Sequence, residues 1–442
     1  MTGRDYHADA DRFVLHSLRR DRQLVFERGE GARLWDVDGK MYLDAISGTN
    51  GPAMIGHSHP KVAEAVGRQL TQLPSTFLAH DSIPVVDFCH KIAEIAPPGL
   101  SKTFLCPGGG EAVEAALKLA IRVSGRPEVI SLHGAYHGMS LATMGLSGIP
   151  SLREWFPGGV RWPTFHQVPS GDSYRPQVAD REDENESSAA RALEATLDGG
   201  TYGHVGALII ELVQGPGGHV VYGHNYYREV QRICRERDIL LIVDEVQTGL
   251  ARCGEMWACD VFDVQPDILV VGKAFGGGFP FGAAIVRADL VDDQLEREPW
   301  HILTFQNQPL QAAAGLAVIG VVEEEELVER ARVLGERACS RLQQLAASYE
   351  VVGDIRGPGL FIGIDLVEDR DTKKPATAAC RAAWAWALDH GLITWFGGAG
   401  NVLKFKPPLN TPETDFDEML DLVEQTVAFV EDQVVSSRGV AA

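Results

Sequence analysis

Asp267–Gly282 reads DILVVGKAFGGGFPFG. The unbroken apolar run Ile268–Val271 leads through Gly272 to Lys273, and the glycines Gly276, Gly277 and Gly278 follow almost at once. A run that is apolar at every position, rather than alternating, is that of a strand buried on both faces of a largely parallel sheet. It ends on a lysine. Desolvation disfavours an ammonium, so a lysine at such a strand end tends toward a lowered pKa, and its amine becomes nucleophilic and able to form a Schiff base. The glycines leave room for a ligand and for movement of the side chain. The competing reading is an ordinary exposed loop lysine, and the neighbouring strands decide between the two.

The same grammar recurs along the chain. Thr103–Cys106 precedes PGGGEAVEAALKLAIR, where Val113, Ala116, Leu117, Ala120 and Ile121 fall on one helical face. EVISLHGAYHG, VGALIIELVQG and ILLIVDEVQTG are further strand–turn units. Strands alternating with helices predict an α/β fold, with helices flanking a mostly parallel sheet. Ligands in such sheets sit at the carboxyl ends of the strands. Here those ends carry Gly108-Gly109-Gly110, Tyr136-His137-Gly138, Glu211, Asp244-Glu245 and Lys273. Successive glycine N–H groups at a helix N-terminus suit a phosphate, although glycines there also serve tight turns. A buried Asp244 needs a cationic or hydrogen-bonding partner. Pyridoxal 5'-phosphate uses all of these groups at once: an aldehyde for the lysine, a pyridine nitrogen for the acid, a flat ring for an aromatic, and a phosphate for the N–H groups.

Bulk properties narrow the alternatives. The chain has 442 residues, enough for two or three domains or for one large α/β unit with a smaller partner. A net charge of −21 argues against a nucleic-acid-binding surface and against docking on anionic lipid. No apolar run approaches the roughly 18 residues of a membrane span, and the N-terminal stretch MTGRDYHADADRFVLHSLRR is charged, without an apolar core; a soluble, cytoplasmic protein is expected. The seven scattered cysteines contain no CxxC and support neither a disulfide framework nor zinc. GHSHP, Gly56–Pro60, is read as a structural turn in preference to a metal site, and no metal is expected. RLWDVDGKMYLDA reads as a hairpin turning at Asp38-Gly39. The acidic run over 180–190 reads as a surface insertion or helix entry. An amphipathic helix is expected from about Glu413, with SSRGVAA as a frayed tail.

RLWDVDGKMYLDAISG, GHSHP, GGGEAVEAALKLA, YHG, LLIVDEVQTGLARCGEMWA, PDILVVGKAFGGGFPFGA, TFQNQPLQAAAGLAVI, IRGPGLFIGIDL and LKFKPPL together resemble, in order and spacing, the class III (omega) aminotransferases of PLP fold type I. The resemblance spans nearly the whole chain. It implies a large domain over 71–328 with a seven-stranded, mostly parallel sheet, and a smaller α+β domain built from 1–70 and 329–442. It implies that Lys273 carries the cofactor as a Schiff base and acts as general base, that Asp244 pairs with the pyridine N–H, and that Tyr136 stacks on the ring. Gly109 and Gly110 would bind phosphate, Gln247 would lie near the ring hydroxyl, Glu211 would belong to the cofactor shell, and His137 would either buttress Asp244 or simply pack behind it. Thr304 would reach the neighbouring subunit's phosphate, which implies a homodimer with shared active sites.

The implied reaction passes an amino group from an amine or amino acid to a keto acid or aldehyde. Racemisation, decarboxylating transamination and phospho-lyase chemistry are alternatives on the same scaffold. A nucleotide-dependent oxidoreductase would need G-x-G-x-x-G after the first strand, and GGG followed by Glu111 does not supply it. Three departures stand out. Gly108-Gly109-Gly110 replaces the family's serine-containing loop, and Glu211-Leu212 replaces Glu-Pro. Lys404, with Lys406 close by, stands where many relatives place a carboxylate-binding arginine. Lysine is a point charge and cannot make a bidentate fork.

Overall fold

The computed structural model describes residues 4–18, 24–153, 155, 162, 164–178 and 182–441, apart from the side chains of 182–185 and 439–441. Its centre is a seven-stranded sheet in the spatial order Leu100–Cys106, Gly282–Arg287, Ile268–Gly272, Leu240–Asp244, Val205–Ile210, Glu128–Leu132, Phe165–Val168. Gly282–Arg287 runs antiparallel to both of its neighbours, while the other pairings are parallel. Two antiparallel steps restore the direction, so the remaining strands all point the same way and their carboxyl ends share one edge.

The unbroken apolar runs follow from burial on two faces. Successive strand residues point to opposite sides. Leu269 and Val271 join one core with Leu241, Val243, Ala283 and Ile285. Ile268 and Val270 join a second core with Ile242, Ala284 and the helix Gly109–Ser124. That helix buries Val113, Ala116, Leu117 and Ala120, with Ile121 half-buried beside them, as the helical spacing predicts. It begins at an extended Gly108 and ends at Gly125, which adopts φ +67° as the left-handed cap.

The N- and C-terminal segments interlock. Arg33–Asp36 and Met41–Asp44 form the expected hairpin, with Asp36 Oδ1 accepting from the N–H groups of Asp38 and Lys40. Met41–Asp44 then pairs in parallel with Leu392–Ile393. A second sheet orders Val352–Arg356, Ile362–Asp369, Val402–Phe405 and Phe396–Gly397. The acidic run proves to be the entry of the helix Glu182–Gly199, with residues 180 and 181 lying outside the described residues. The last helix, Glu413–Ala441, buries Phe416, Met419, Leu420, Val423, Val427, Val430 and Val434. It corrects the frayed-tail expectation. The backbone stays helical through Gly439, with Ser437 Oγ donating to the Val434 carbonyl at 2.7 Å and Arg438 donating to the Glu368 carbonyl. Among the described residues no helix is long and apolar enough to cross a membrane.

At the carboxyl edge the antiparallel strand approaches the start of the helix so closely that only glycine fits. A Cβ on Gly282 would lie 2.2 Å from the Gly108 carbonyl oxygen and 3.0 Å from Gly109 N. Gly282→Ala is therefore expected to destabilise the fold by about 1–3 kcal/mol, as overpacking does, read as a lower urea midpoint with unchanged m-value.

Candidate active site

Lys273 follows its strand immediately and opens a short 3-10 turn, Lys273–Gly276. Its backbone adopts φ +42°, a left-handed conformation that L-residues enter at a cost of about 1–2 kcal/mol. The turn delivers the half-buried side chain to a cavity of about 430 Å³. Gly108, Gly109, Gly110, Tyr136, His137, Glu211, Asp244 and Gln247 line the same cavity. The strand ends that sequence reasoning singled out therefore converge. Burial holds the Lys273 amine below the usual lysine range, with Asp244 and Glu211 opposing that shift.

Asp244 is buried at the last position of its strand. Its Oδ1 accepts from the N–H of Val246 at 3.0 Å, and its Oδ2 is 2.9 Å from His137 Nδ1. His137 is thus brought against Asp244, and its buried Nε2 has no partner among the described residues. Glu211 accepts from the N–H groups of Tyr136 at 2.7 Å and Gly215 at 2.9 Å, fixing the Tyr136 turn to the strand Val205–Ile210. Burial pushes the Glu211 carboxyl up to about 7, with the neighbouring His137 opposing that shift and Asp244 reinforcing it. Burial, Glu211 and Asp244 together raise the Tyr136 phenol.

The cavity fits pyridoxal phosphate by type of group. The first-turn N–H groups of Gly109–Ser124 have no intrahelical acceptor, and the helix presents its positive end there. A Cβ on Gly109 would meet Val246 at 3.1 Å, whereas one on Gly110 would meet nothing within 4 Å, so the backbone at Gly110 is open to a ligand. A desolvated amine, a buried carboxylate held by a histidine, and a tyrosine complete the set. Val213, Val246 and Phe281 supply apolar wall. Nothing in the sequence marks these three, since each is one apolar residue among many.

Two candidates lie outside the cavity that holds Lys273. Lys404 stands at the position where the resemblance implies a carboxylate-binding arginine in many relatives. It is 1 % exposed, and among the described residues no carboxylate pairs with it; its Nζ donates to Asn50 Oδ1 at 3.3 Å. Burial and the nearby Lys273 lower it to about 7, against the pull of Glu211. Lys404 lines a second, larger cavity of about 920 Å³, which shares Tyr136 with the first. Thr304 sits on an exposed turn and is absent from the lining of this chain's own cavity. Asn50 and Gly51 are the site residues that sequence reasoning missed. Both have positive φ, +62° and +127°, and a Cβ on Gly51 would touch Lys273 Cδ at 3.7 Å. The Asn-Gly dipeptide is a turn signal, but nothing local says which residues it turns toward. The histidines of GHSHP contact different acids, His57 with Asp44 at 2.7 Å and His59 with Glu325 at 3.2 Å.

A sequence model of the family "Aminotransferase class-III" matches residues 17–427. The chain is 34% identical to the leucine/methionine racemase of Thermococcus litoralis, over 92% of this chain and 91% of that protein. It is 34% identical to the 5-aminovalerate aminotransferase of Pseudomonas aeruginosa, over 91% and 93%. The structure superposes on the omega transaminase of Pseudomonas jessenii in complex with PMP with a TM-score of 0.89 and 29% identity, covering 98% of both chains.

A buried ammonium without an acid partner opposes folding. Lys404→Met is expected to raise unfolding stability by about 1 kcal/mol or more. The folded-state pKa of Lys404 is depressed, so the unfolded chain binds more protons. The penalty is full below about pH 7 and fades as pH rises toward the unfolded lysine value of about 10.4. Urea unfolding of both proteins at pH 6 and pH 9.5 checks this: the gap should be wider at pH 6.

Proposed function

We propose a reaction that proceeds from one premise: the chain belongs to the class III aminotransferases, pyridoxal-phosphate-dependent transferases that move an amino group between an amino donor and a keto acid or aldehyde. The observation that carries the site assignment is the convergence of Lys273, Asp244 and the Gly109–Gly110 N–H groups on one cavity. Pyridoxal phosphate, when bound, supplies an aldehyde for exchange between amines and an electron sink for the charge left at the substrate carbon. Lys273 Nζ is the attachment point. Once freed by the substrate amine, it takes the Cα proton and returns it, a task suited to an amine whose proton affinity burial has lowered. Asp244 would hold the proton on the pyridine nitrogen, its carboxylate oriented by His137 Nδ1. Tyr136 would stack on the ring, Glu211 holds the Tyr136 turn, and Gln247 would face the ring hydroxyl. Thr304 serves the neighbouring subunit, so the active unit is a homodimer.

The second cavity supports a substrate class. Its walls include Phe26, Leu34, Ile46, Ile393, Trp395 and Phe396, and Asp44 is already engaged by His57 at 2.7 Å. Among the described residues of its lining, Lys404 is the one lysine or arginine that an anion could meet. The donor that fits is an amino acid with a bulky apolar side chain, its carboxylate on Lys404 and its side chain in the apolar chamber. Racemisation of such an amino acid is the second reading, favoured by the relative named as a racemase.

Borohydride reduction and peptide mapping should leave the pyridoxyl label on Lys273; a label on another lysine would refute the attachment site. Leucine and phenylalanine, offered with a keto acid, should convert the bound cofactor to its amino form faster than alanine or aspartate. Loss of optical activity without keto acid formation would instead favour racemisation. Lys404→Met should lower kcat/KM for phenylalanine about tenfold to hundredfold and leave 2-phenylethylamine nearly unchanged. In the unaltered enzyme the preference for the acid over the amine should fall as pH rises through about 7, where free Lys404 loses its charge.

A further inference from the structure

Lys406 lies behind the site, not in it. It is 0 % exposed and absent from the lining of both cavities. Among the described residues no carboxylate pairs with it, and the charged groups facing it, Lys404, Arg252 and Lys273, are cations like itself. Burial and these cations hold the Lys406 amine well below the usual lysine range, so a lysine here has to be accounted for by what it holds. Its Nζ donates to Gln247 Oε1 at 2.7 Å and to the Asn50 carbonyl at 3.1 Å, and it sits 4.6 Å from the centre of the Phe361 ring. Gln247 is a cavity residue, and Asn50 precedes the Gly51 backbone that packs on Lys273.

The chemistry of the contact fixes an orientation. Lys406 Nζ spends donors on two oxygens, Gln247 Oε1 and the Asn50 carbonyl, whereas an amide has one acceptor end and one donor end. Gln247 turns its oxygen to Lys406, which leaves its NH2 on the other branch of the amide. Gly215 packs on the amide itself, where a Cβ would lie 2.3 Å from Gln247 Nε2 and 2.8 Å from its Oε1, so only a glycine leaves the amide room there.

We propose that Lys406 is a positioning residue that locks the Gln247 amide with its NH2 end toward the cofactor, making Gln247 a hydrogen-bond donor to the ring oxygen of bound pyridoxal phosphate, and that it pins the Asn50–Gly51 turn over Lys273. The inference rests on the reading that Gln247 faces the cofactor ring. A donor there stabilises the ionised ring oxygen, so releasing the amide raises the pH at which the bound chromophore takes up a proton and weakens cofactor binding.

The test uses the full-length holoenzyme and its apo form, checked for folding by circular dichroism, with two readouts that need no turnover: the dissociation constant for pyridoxal phosphate and the pH titration of its bound absorbance band. Lys406→Met and Gln247→Ala should each weaken cofactor binding about tenfold, the scale of one charge-assisted or cofactor hydrogen bond, and shift the titration upward. If Lys406 works through Gln247, the double variant should fall within about twofold of Gln247→Ala alone. Gln247→Glu keeps an acceptor for Lys406 but has no donor to offer, so it should show the same upward shift even if Lys406→Met folds poorly. Multiplying losses in the double variant, or an unchanged titration in Lys406→Met, would overturn the role of Lys406. An unchanged titration in both Gln247 variants would overturn the reading of Gln247 on which it depends.

Discussion

Keeping amines and guanidinium groups out of water is the constraint on which this site depends. Lys273, Lys404, Lys406 and Arg252 all lie around the junction of the large sheet with the terminal segments. Arg252 is buried and spends its donors on the carbonyls of Leu360 and Pro407 and on Ser47 Oγ, with no acid among them. Among the described residues that line the cofactor cavity, Asp244 and Glu211 are the acids, and burial pushes Glu211 up to about 7. A protein of net charge −21 thus gathers basic side chains in its interior, each held by burial below its usual range. The contrast is functional in kind. On the proposed reading a cofactor phosphate and a substrate carboxylate are anions that must leave water, and basic groups that take up a proton beside them would repay their desolvation.

Topology explains why those charges can be assembled at all. Parallel strands end on one edge, so residues far apart in sequence, such as Glu211, Asp244 and Lys273, arrive together with no local code for their meeting. The lone antiparallel strand Gly282–Arg287 adds a second service. It returns the chain from the Lys273 turn to the start of the helix Gly109–Ser124, seating the glycine backbone of Gly282 on that of Gly108. The amine and the N–H cradle are therefore braced against each other through main chain, which varies less than side-chain contacts do.

What could be read in advance divides along the same line. The buried strands, the hairpin at Asp38-Gly39, the helix face from Val113 to Ala120, and the convergence on one edge were legible because period and turn chemistry are local signals. The strand Gly282–Arg287 escaped because its apolar run, Ala283–Val286, is short and follows a glycine- and proline-rich turn. The helix that runs on past Ser436 to Ala441 escaped because Ser and Gly signal fraying, while the contact that holds it, Arg438 on the Glu368 carbonyl, spans 70 residues. Asn50, Lys406 and the environment of Lys404 escaped for a stronger form of that reason. Lys406 reaches Gln247 across 159 positions and Asn50 across 356. No window of sequence contains both partners.

The exchange of arginine for lysine at position 404 then has a physical meaning. An aminotransferase must admit two partners in turn through one site, and they need not carry the same charge. A guanidinium remains charged whatever occupies the site, and a neutral partner would leave it buried and uncompensated. A lysine held near pH 7 by burial can meet a carboxylate as an ammonium and an uncharged partner as an amine, with Asn50 Oδ1 accepting its hydrogen bond in either form. The bidentate geometry is lost. On the proposed reading the chamber would pair weaker orientation of the anion with a wall of aromatic and aliphatic side chains, and substrate choice would pass from the carboxylate, which most amino acids share, to the apolar group, which few do.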